Sequence, residues 1–147
     1  MTDLERVRVG YAPGVYDLFH IGHLNILRTS KMFCDYLIAG VLTDEQAARS
    51  KGFTPMVPQG ERIEIVRHIS FVNEAVFEDV PTKLQMQERL GFNLIFKGDD
   101  WKGTEKGDAL ELEFAAVGVE IVYLPYTVHT SSTELRRAIR SLGDVAS

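Results

Sequence analysis

The chain has 147 residues, with 16 Lys and Arg against 21 Asp and Glu, a formal net charge of −5, and 45% hydrophobic residues. This is ordinary single-domain globular usage, which excludes disordered, collagen-like and low-complexity classes and a global basic field for nucleic acid. The one cysteine, Cys34, excludes an internal disulfide and points to a reducing compartment. No apolar run nears the roughly 18 residues that span a bilayer, and Met1 to Arg6 lacks the pattern of a signal peptide. A cytoplasmic, membrane-free single domain over residues 1–147 is expected.

Val7 to Ala12 reads as a short strand, closed by a turn at Pro13-Gly14. Gly22 to Phe33 has helical spacing of Leu24, Ile26, Leu27 and Met32. Asp35 to Leu42 is almost unbroken apolar sequence, as in a strand buried on both faces. Thr43 with Gln46 predicts a capping box, and the Pro/Gly-rich Lys51 to Pro58 predicts a loop. A helix over Glu61 to Ile69 and a strand at Glu74 to Phe77 follow. Thr82 and Gln85 cap the next helix, and Gly91 stops it. Strand four spans Asn93 to Lys97, then come a polar loop, a helix over Asp108 to Val117 and strand five at Val119 to Leu124. Ser131 with Glu134 opens a last helix through Arg140. The order β-α-β-α-α-β-α-β-α-β-α implies an α/β, Rossmann-like, open parallel five-stranded sheet with helices on both faces. Ligands of such sheets sit beyond the carboxyl ends of the strands.

Three strand ends concentrate polar and glycine residues. After strand one, His20 and His23 are three apart and lie beside a helix N-terminus, where N–H groups and the dipole favour phosphate. Two imidazole donors there would stabilise charge on a phosphoryl oxygen. Zinc needs three or four ligands, and no third local ligand accompanies the pair, so no protein-held metal is expected. Gly14 would let a ligand approach the backbone. Asp17 either orients the ribose-triphosphate site or a metal-bound water, or closes an Asx-turn on its own loop. Lys97 is a strand-end lysine near the site or a solvated one. Phe53, Trp101 and Tyr126 either stack on a ligand or pack their loops. Cys34 reads as a small buried hydrophobe. No G-x-G-x-x-G follows a strand and no G-x-x-x-x-G-K-[ST] occurs, against redox Rossmann and P-loop proteins.

Gly14-x-Tyr16-Asp17-x-x-His20-x-Gly22-His23 resembles the HxGH signature of the nucleotidyltransferase superfamily, in its cytidylyltransferase form. Lys51-Gly52-Phe53-Thr54 with Glu61-Arg62 is similar to the lysine loop of phosphocholine, phosphoethanolamine and glycerol-3-phosphate cytidylyltransferases. Gly98-Asp99-Asp100-Trp101 and Pro125 to Thr133 resemble further segments of the bacterial glycerol-3-phosphate enzymes, whose compact length also matches.

The resemblance implies CMP transfer from CTP to a small phosphomonoester, glycerol 3-phosphate first, giving a CDP-linked product and pyrophosphate. It implies catalytic roles for His20, His23 and Lys51. Nucleotide contacts are implied for Gly14, Val15, Tyr16, Asp17, Gly22, Gly98, Asp100, Trp101, Thr127, Ser132 and Thr133. Acceptor contacts are implied for Lys51, Arg62 and Tyr126, with Arg62 either near the acceptor phosphate or supporting the site. Mg²⁺ would be carried mainly by the triphosphate, and a homodimer is expected. The family arginine is Tyr126 here and its glycine is His129, and Arg136 or Arg137 would supply the lost charge or face solvent. These departures leave other acceptors open: phosphocholine, phosphoethanolamine or another polyol phosphate. An adenylyltransferase acting on a sugar phosphate or FMN is a second reading, and a regulatory nucleotide-binding domain a third.

Overall fold

A computed structural model describes residues 6–125 and 131–146. The chain runs β1 (Val9–Gly14), α1 (Ile21–Met32), β2 (Tyr36–Leu42), α2 (Asp44–Lys51), α3 (Gln59–Arg67), β3 (Glu74–Glu78) and α4 (Lys83–Leu90). It continues through β4 (Leu94–Gly98), a 3-10 turn (Asp99–Trp101), α5 (Glu105–Ala115), β5 (Glu120–Leu124) and α6 (Ser132–Ala146). Every element expected from the sequence is present, in the expected order. Boundaries differ in substance in four places: Pro13 and Gly14 finish β1, paired with Gly40 and Val41, and do not form a turn; Lys51 ends α2 and is not in the loop; α5 starts at Glu105; and α6 runs on to Ala146.

All strands pair in parallel in the order β3-β2-β1-β4-β5. The chain builds outward from β1 in one direction, then returns to β4 on the other side. The switch point therefore lies between β1 and β4. The histidine segment follows β1 and the Gly98–Trp101 segment follows β4, so both open at that crevice.

The two faces of the sheet carry separate cores. Leu27 of α1 and Ile63 and Val66 of α3 pack on Ala12, Ala39, Val41 and Phe96. Met86 of α4 and Phe114 of α5 pack on Tyr11, Ile38 and Ile95. Tyr11 is fully buried, stacks on Phe92 at 4.7 Å and donates its hydroxyl to Glu78 at 2.7 Å. To reach β3 the phenol crosses β2 above Gly40, where a Cβ would stand 2.0 Å from the hydroxyl oxygen. Glycine at 40 is thus a packing requirement of a buried polar link.

Helix ends follow the sequence signals. Thr82 and Gln85 form the full capping box, and Gly91 ends α4 in the left-handed region at φ 70°. Thr43 accepts from the Gln46 N–H, and Ser131 from the Glu134 N–H. Cys34 is half-buried, and burial raises its thiol pKa.

Candidate active site

Between β1 and α1 two residues with side chains occupy the left-handed region, Tyr16 (φ 56°) and Leu18 (φ 51°). Each costs of order 1 kcal/mol and persists only where the surroundings fix it. Tyr16 is fixed by its hydroxyl, which donates to the Ala12 carbonyl at 2.8 Å. Its ring covers Gly14, where a Cβ would stand 3.0 Å away. The expectation that Gly14 leaves room for a ligand is corrected on that side, because the Tyr16 ring takes the space.

His20 is the N-cap of α1 and His23 its third residue. His20 Nδ1 accepts from the Gly22 N–H at 3.0 Å, and His23 Nδ1 accepts from the His20 N–H at 3.2 Å. The pair forms a capping box in which imidazoles replace the usual hydroxyl and Glu or Gln. With both Nδ1 lone pairs engaged, the neutral rings carry their protons on Nε2. Both Nε2 atoms converge on Ser132 Oγ, at 3.2 and 3.3 Å. Ser132 Oγ donates its proton to the Asp17 carbonyl at 2.7 Å, which leaves its lone pairs for the two N–H donors. Burial lowers the pKa of both rings, and with His20 alongside His23 falls to about 4. At neutral pH the site therefore holds two uncharged, preoriented N–H donors. Neither Nε2 is a proton acceptor in this arrangement. Tyr16 and Phe19 flank the His23 ring with centroids at 5.5 and 5.2 Å.

Two loops and helix α6 are tied together behind the histidines. Asp17 is buried, and its carboxylate accepts from the Met56 and Val57 N–H groups, both at 2.9 Å. Arg136 of α6 reaches the same carboxylate at 3.3 Å, and its guanidinium lies over the Phe53 ring at 4.0 Å. Asp17 thus clamps a distant loop, a role that neither sequence reading of it contained. Phe53 is covered by Arg136, and Arg136 is engaged with Asp17, while Arg137 is exposed.

Arg62 has a fully buried side chain. Nε donates to Val57 O at 2.8 Å, Nη1 to Val15 O at 2.6 Å and Leu42 O at 2.8 Å, and Nη2 to Asp44 Oδ1 at 2.7 Å. The acceptor-binding assignment for Arg62 is corrected: its donors are committed inside the protein. It supports the site by joining three segments.

Lys51 ends α2, Lys97 lies near the end of β4, and Asp100 and Trp101 form the 3-10 turn after Gly98. Lys51, Lys97 and Trp101 line one cavity, with Lys83 and Lys106. Lys97 Nζ sits 4.1 Å from the Trp101 ring centroid. Burial, with Lys83 and Lys51 nearby, lowers the Lys97 pKa to about 8. Thr133 is exposed on the first turn of α6, next to Arg136. Tyr126, Thr127 and His129 lie outside the described residues.

The sequence reading missed Lys83 and Lys106. For Lys83 a signal existed, since it opens the helix capped by Thr82, where the dipole disfavours a cation; Lys106 enters the first turn of α5 only because that helix starts at Glu105, three residues before the expected start.

The Cytidylyltransferase-like family model matches residues 11–138. A glycerol-3-phosphate cytidylyltransferase from Bacillus spizizenii is 31% identical over 130 residues, 88% of this chain and 95% of that one. An FAD synthase from Pyrococcus abyssi is 28% identical over 146 residues, 99% of this chain and 98% of that one. A probable ethanolamine-phosphate cytidylyltransferase from Encephalitozoon cuniculi is 39% identical over 92 residues, and only 28% of its length is matched. In fold, the chain resembles a lipopolysaccharide core biosynthesis protein from Thermoplasma volcanium, with a TM-score of 0.70 at 20% identity, covering 85% of this chain and all of that one. With the family match running from β1 into α6, across both histidines and Ser132, the chain is a nucleotidyltransferase of the cytidylyltransferase-like family.

Proposed function

We propose that the chain transfers CMP from CTP to a small phosphomonoester, with glycerol 3-phosphate as the first candidate. A phosphate oxygen of the acceptor attacks the α-phosphorus. The bond from that phosphorus to the bridging oxygen breaks, and pyrophosphate leaves with the electron pair. The acceptor is mostly a dianion at neutral pH, since its second pKa is about 6, so no general base is needed. The observation that carries this reading is the convergence of two Nε2–H donors on one point beside the first turn of α6. Such donors stabilise charge developing on a phosphoryl oxygen and cannot take a proton there. The incoming oxygen would replace Ser132 Oγ as their acceptor, leaving the Ser132 hydroxyl and the helix N-terminus for the β- and γ-phosphates. Lys51 would neutralise charge between the two substrates.

Among the described residues no three His, Cys, Asp or Glu side chains converge as a metal-binding group. Mg²⁺ is proposed as bound mainly to the triphosphate. No helix among the described residues is long and apolar enough to cross a membrane. A homodimer and a cytoplasmic location complete the proposal.

Adenylyl transfer to FMN is the second reading, supported by the near full-length similarity to the Pyrococcus abyssi FAD synthase. Mass spectrometry of products from CTP or ATP with pooled phosphomonoesters, FMN included, separates the two. CDP-linked products are expected with CTP alone. AMP-linked products would favour the second reading, and no product with any pair would refute both.

A further inference from the structure

At the carboxyl edge of the sheet, on the face covered by α4 and α5, lies a cavity of about 230 Å³. Lys51, Lys83, Lys97 and Lys106 converge on it from four different elements, with Trp101 among them. Two carboxylates face this cluster, Glu78 and Asp100. Glu78 is buried and already holds the Lys83 ammonium and the Tyr11 hydroxyl. The balance is cationic.

The placement of these lysines is unfavourable without an anion. Lys83 is the first residue of α4 and Lys106 the second of α5, so both add positive charge to the positive ends of helix dipoles. Lys97 is held beside Lys83 and Lys51, and crowding of like charges with burial lowers its pKa to about 8. A bound anion would offset the like-charge crowding and the unfavourable helix-end placement.

Trp101 would ordinarily be the feature that welcomes a quaternary or primary ammonium. Here Lys97 stands over the ring at 4.1 Å and Lys106 approaches at 6.0 Å. The ring already has its cations, and a third would meet their repulsion.

Taking this pocket as the one that receives the acceptor, as the resemblance implies for Lys51, we propose that it selects a small phosphomonoester whose remaining body is neutral or anionic. Phosphocholine and phosphoethanolamine are selected against. This inference rests on the nucleotidyl-transfer reading for its catalytic meaning, but the pocket's preference is measurable without turnover. The attacking oxygen belongs to the phosphate that the lysines hold, and Lys51 is the residue shared with the nucleotide side.

Trp101 is the only tryptophan of the chain, so its emission reports on this pocket alone. It is titrated with glycerol 3-phosphate, phosphoethanolamine and inorganic phosphate, with a non-hydrolysable CTP analogue present. Pyrophosphate release is measured with the same acceptors and CTP. Saturable change with glycerol 3-phosphate is expected, at least tenfold tighter than with phosphoethanolamine. Lys106 is exposed, so Lys106→Glu keeps the fold, and it should move that ratio at least tenfold toward phosphoethanolamine. Lys83→Gln should weaken both phosphomonoesters. Equal or tighter binding of phosphoethanolamine by the wild type overturns the proposal, as does a ratio unmoved by Lys106→Glu. Selective binding without any transfer upholds the pocket and refutes the transfer reading. Transfer to glycerol 3-phosphate with no Trp101 response does the reverse.

Discussion

His23→Gln separates the two tasks carried by one ring. Glutamine is a standard residue at the third position of a capping box, and its side-chain oxygen can accept the His20 N–H as His23 Nδ1 does at 3.2 Å. What it lacks is a titrating group in this range. His23 has a folded pKa of about 4 against an ordinary 6.5. Between those values the unfolded chain binds more protons than the folded one. The stability this represents is complete above the ordinary pKa and is lost as pH falls toward the folded one. At about 1.4 kcal/mol per pH unit, the wild type should lose about 2 kcal/mol between about pH 7 and about pH 5 through this residue. His20 shifts in the same direction and adds to the loss. Urea unfolding of both proteins across that range should give lines that diverge by about 2 kcal/mol, the variant being flatter. At about pH 7 the variant should stay within about 1 kcal/mol of the wild type, whereas His23→Ala loses the cap and about 1 kcal/mol. Both variants remove one oriented imidazole donor, and kcat should fall about 10²–10³-fold. Parallel pH dependence in wild type and His23→Gln would refute the tautomer and burial reasoning. Undiminished turnover would refute the catalytic assignment.

Arg62→Met should lower stability by about 3–5 kcal/mol in urea unfolding, because buried carbonyls of Val15, Leu42 and Val57 lose their donors. Arg62→Lys should recover only part of this, since one ammonium cannot serve all these acceptors in their fixed directions. A loss under about 1 kcal/mol would contradict the tethering role. Asp17→Asn turns an amide NH₂ toward a backbone N–H of Met56 or Val57, at a cost of about 1–3 kcal/mol. It should also lower kcat/KM at least tenfold in the pyrophosphate-release assay, as the loop that follows Lys51 loses its anchor.

The order of elements and the position of the histidines were legible because they rest on local signals. Hydrophobic period, Thr82–Gln85, Ser131–Glu134 and Gly91 each act within one turn of chain. The pairing of His20 with His23 was legible as spacing, but their reciprocal cap was not, since imidazole is a rare capping side chain. Contacts between distant segments were hidden for a different reason. Asp17 meets Met56 and Val57 some forty positions away, and Arg62 meets Val15 across 47. Nothing in their own neighbourhood announces that. The resemblance left Arg62 either near the acceptor or supporting the site, and only the structure places it beneath two loops and the end of β2. Lys83 could have been noticed as a cation at the wrong end of a helix.

The buried guanidinium of Arg62 also bears on how the molecule opens. Binding loops are usually the regions of lowest local stability, exchanging their amides through small openings. Here one side chain hydrogen-bonds the carbonyls of Val15, Leu42 and Val57, so the loops that frame the histidines are joined to the end of a central strand. Opening any of them breaks the same knot. Their amides should exchange with the sheet as one cooperative unit, and a denaturant that spares the sheet should spare the active site as well.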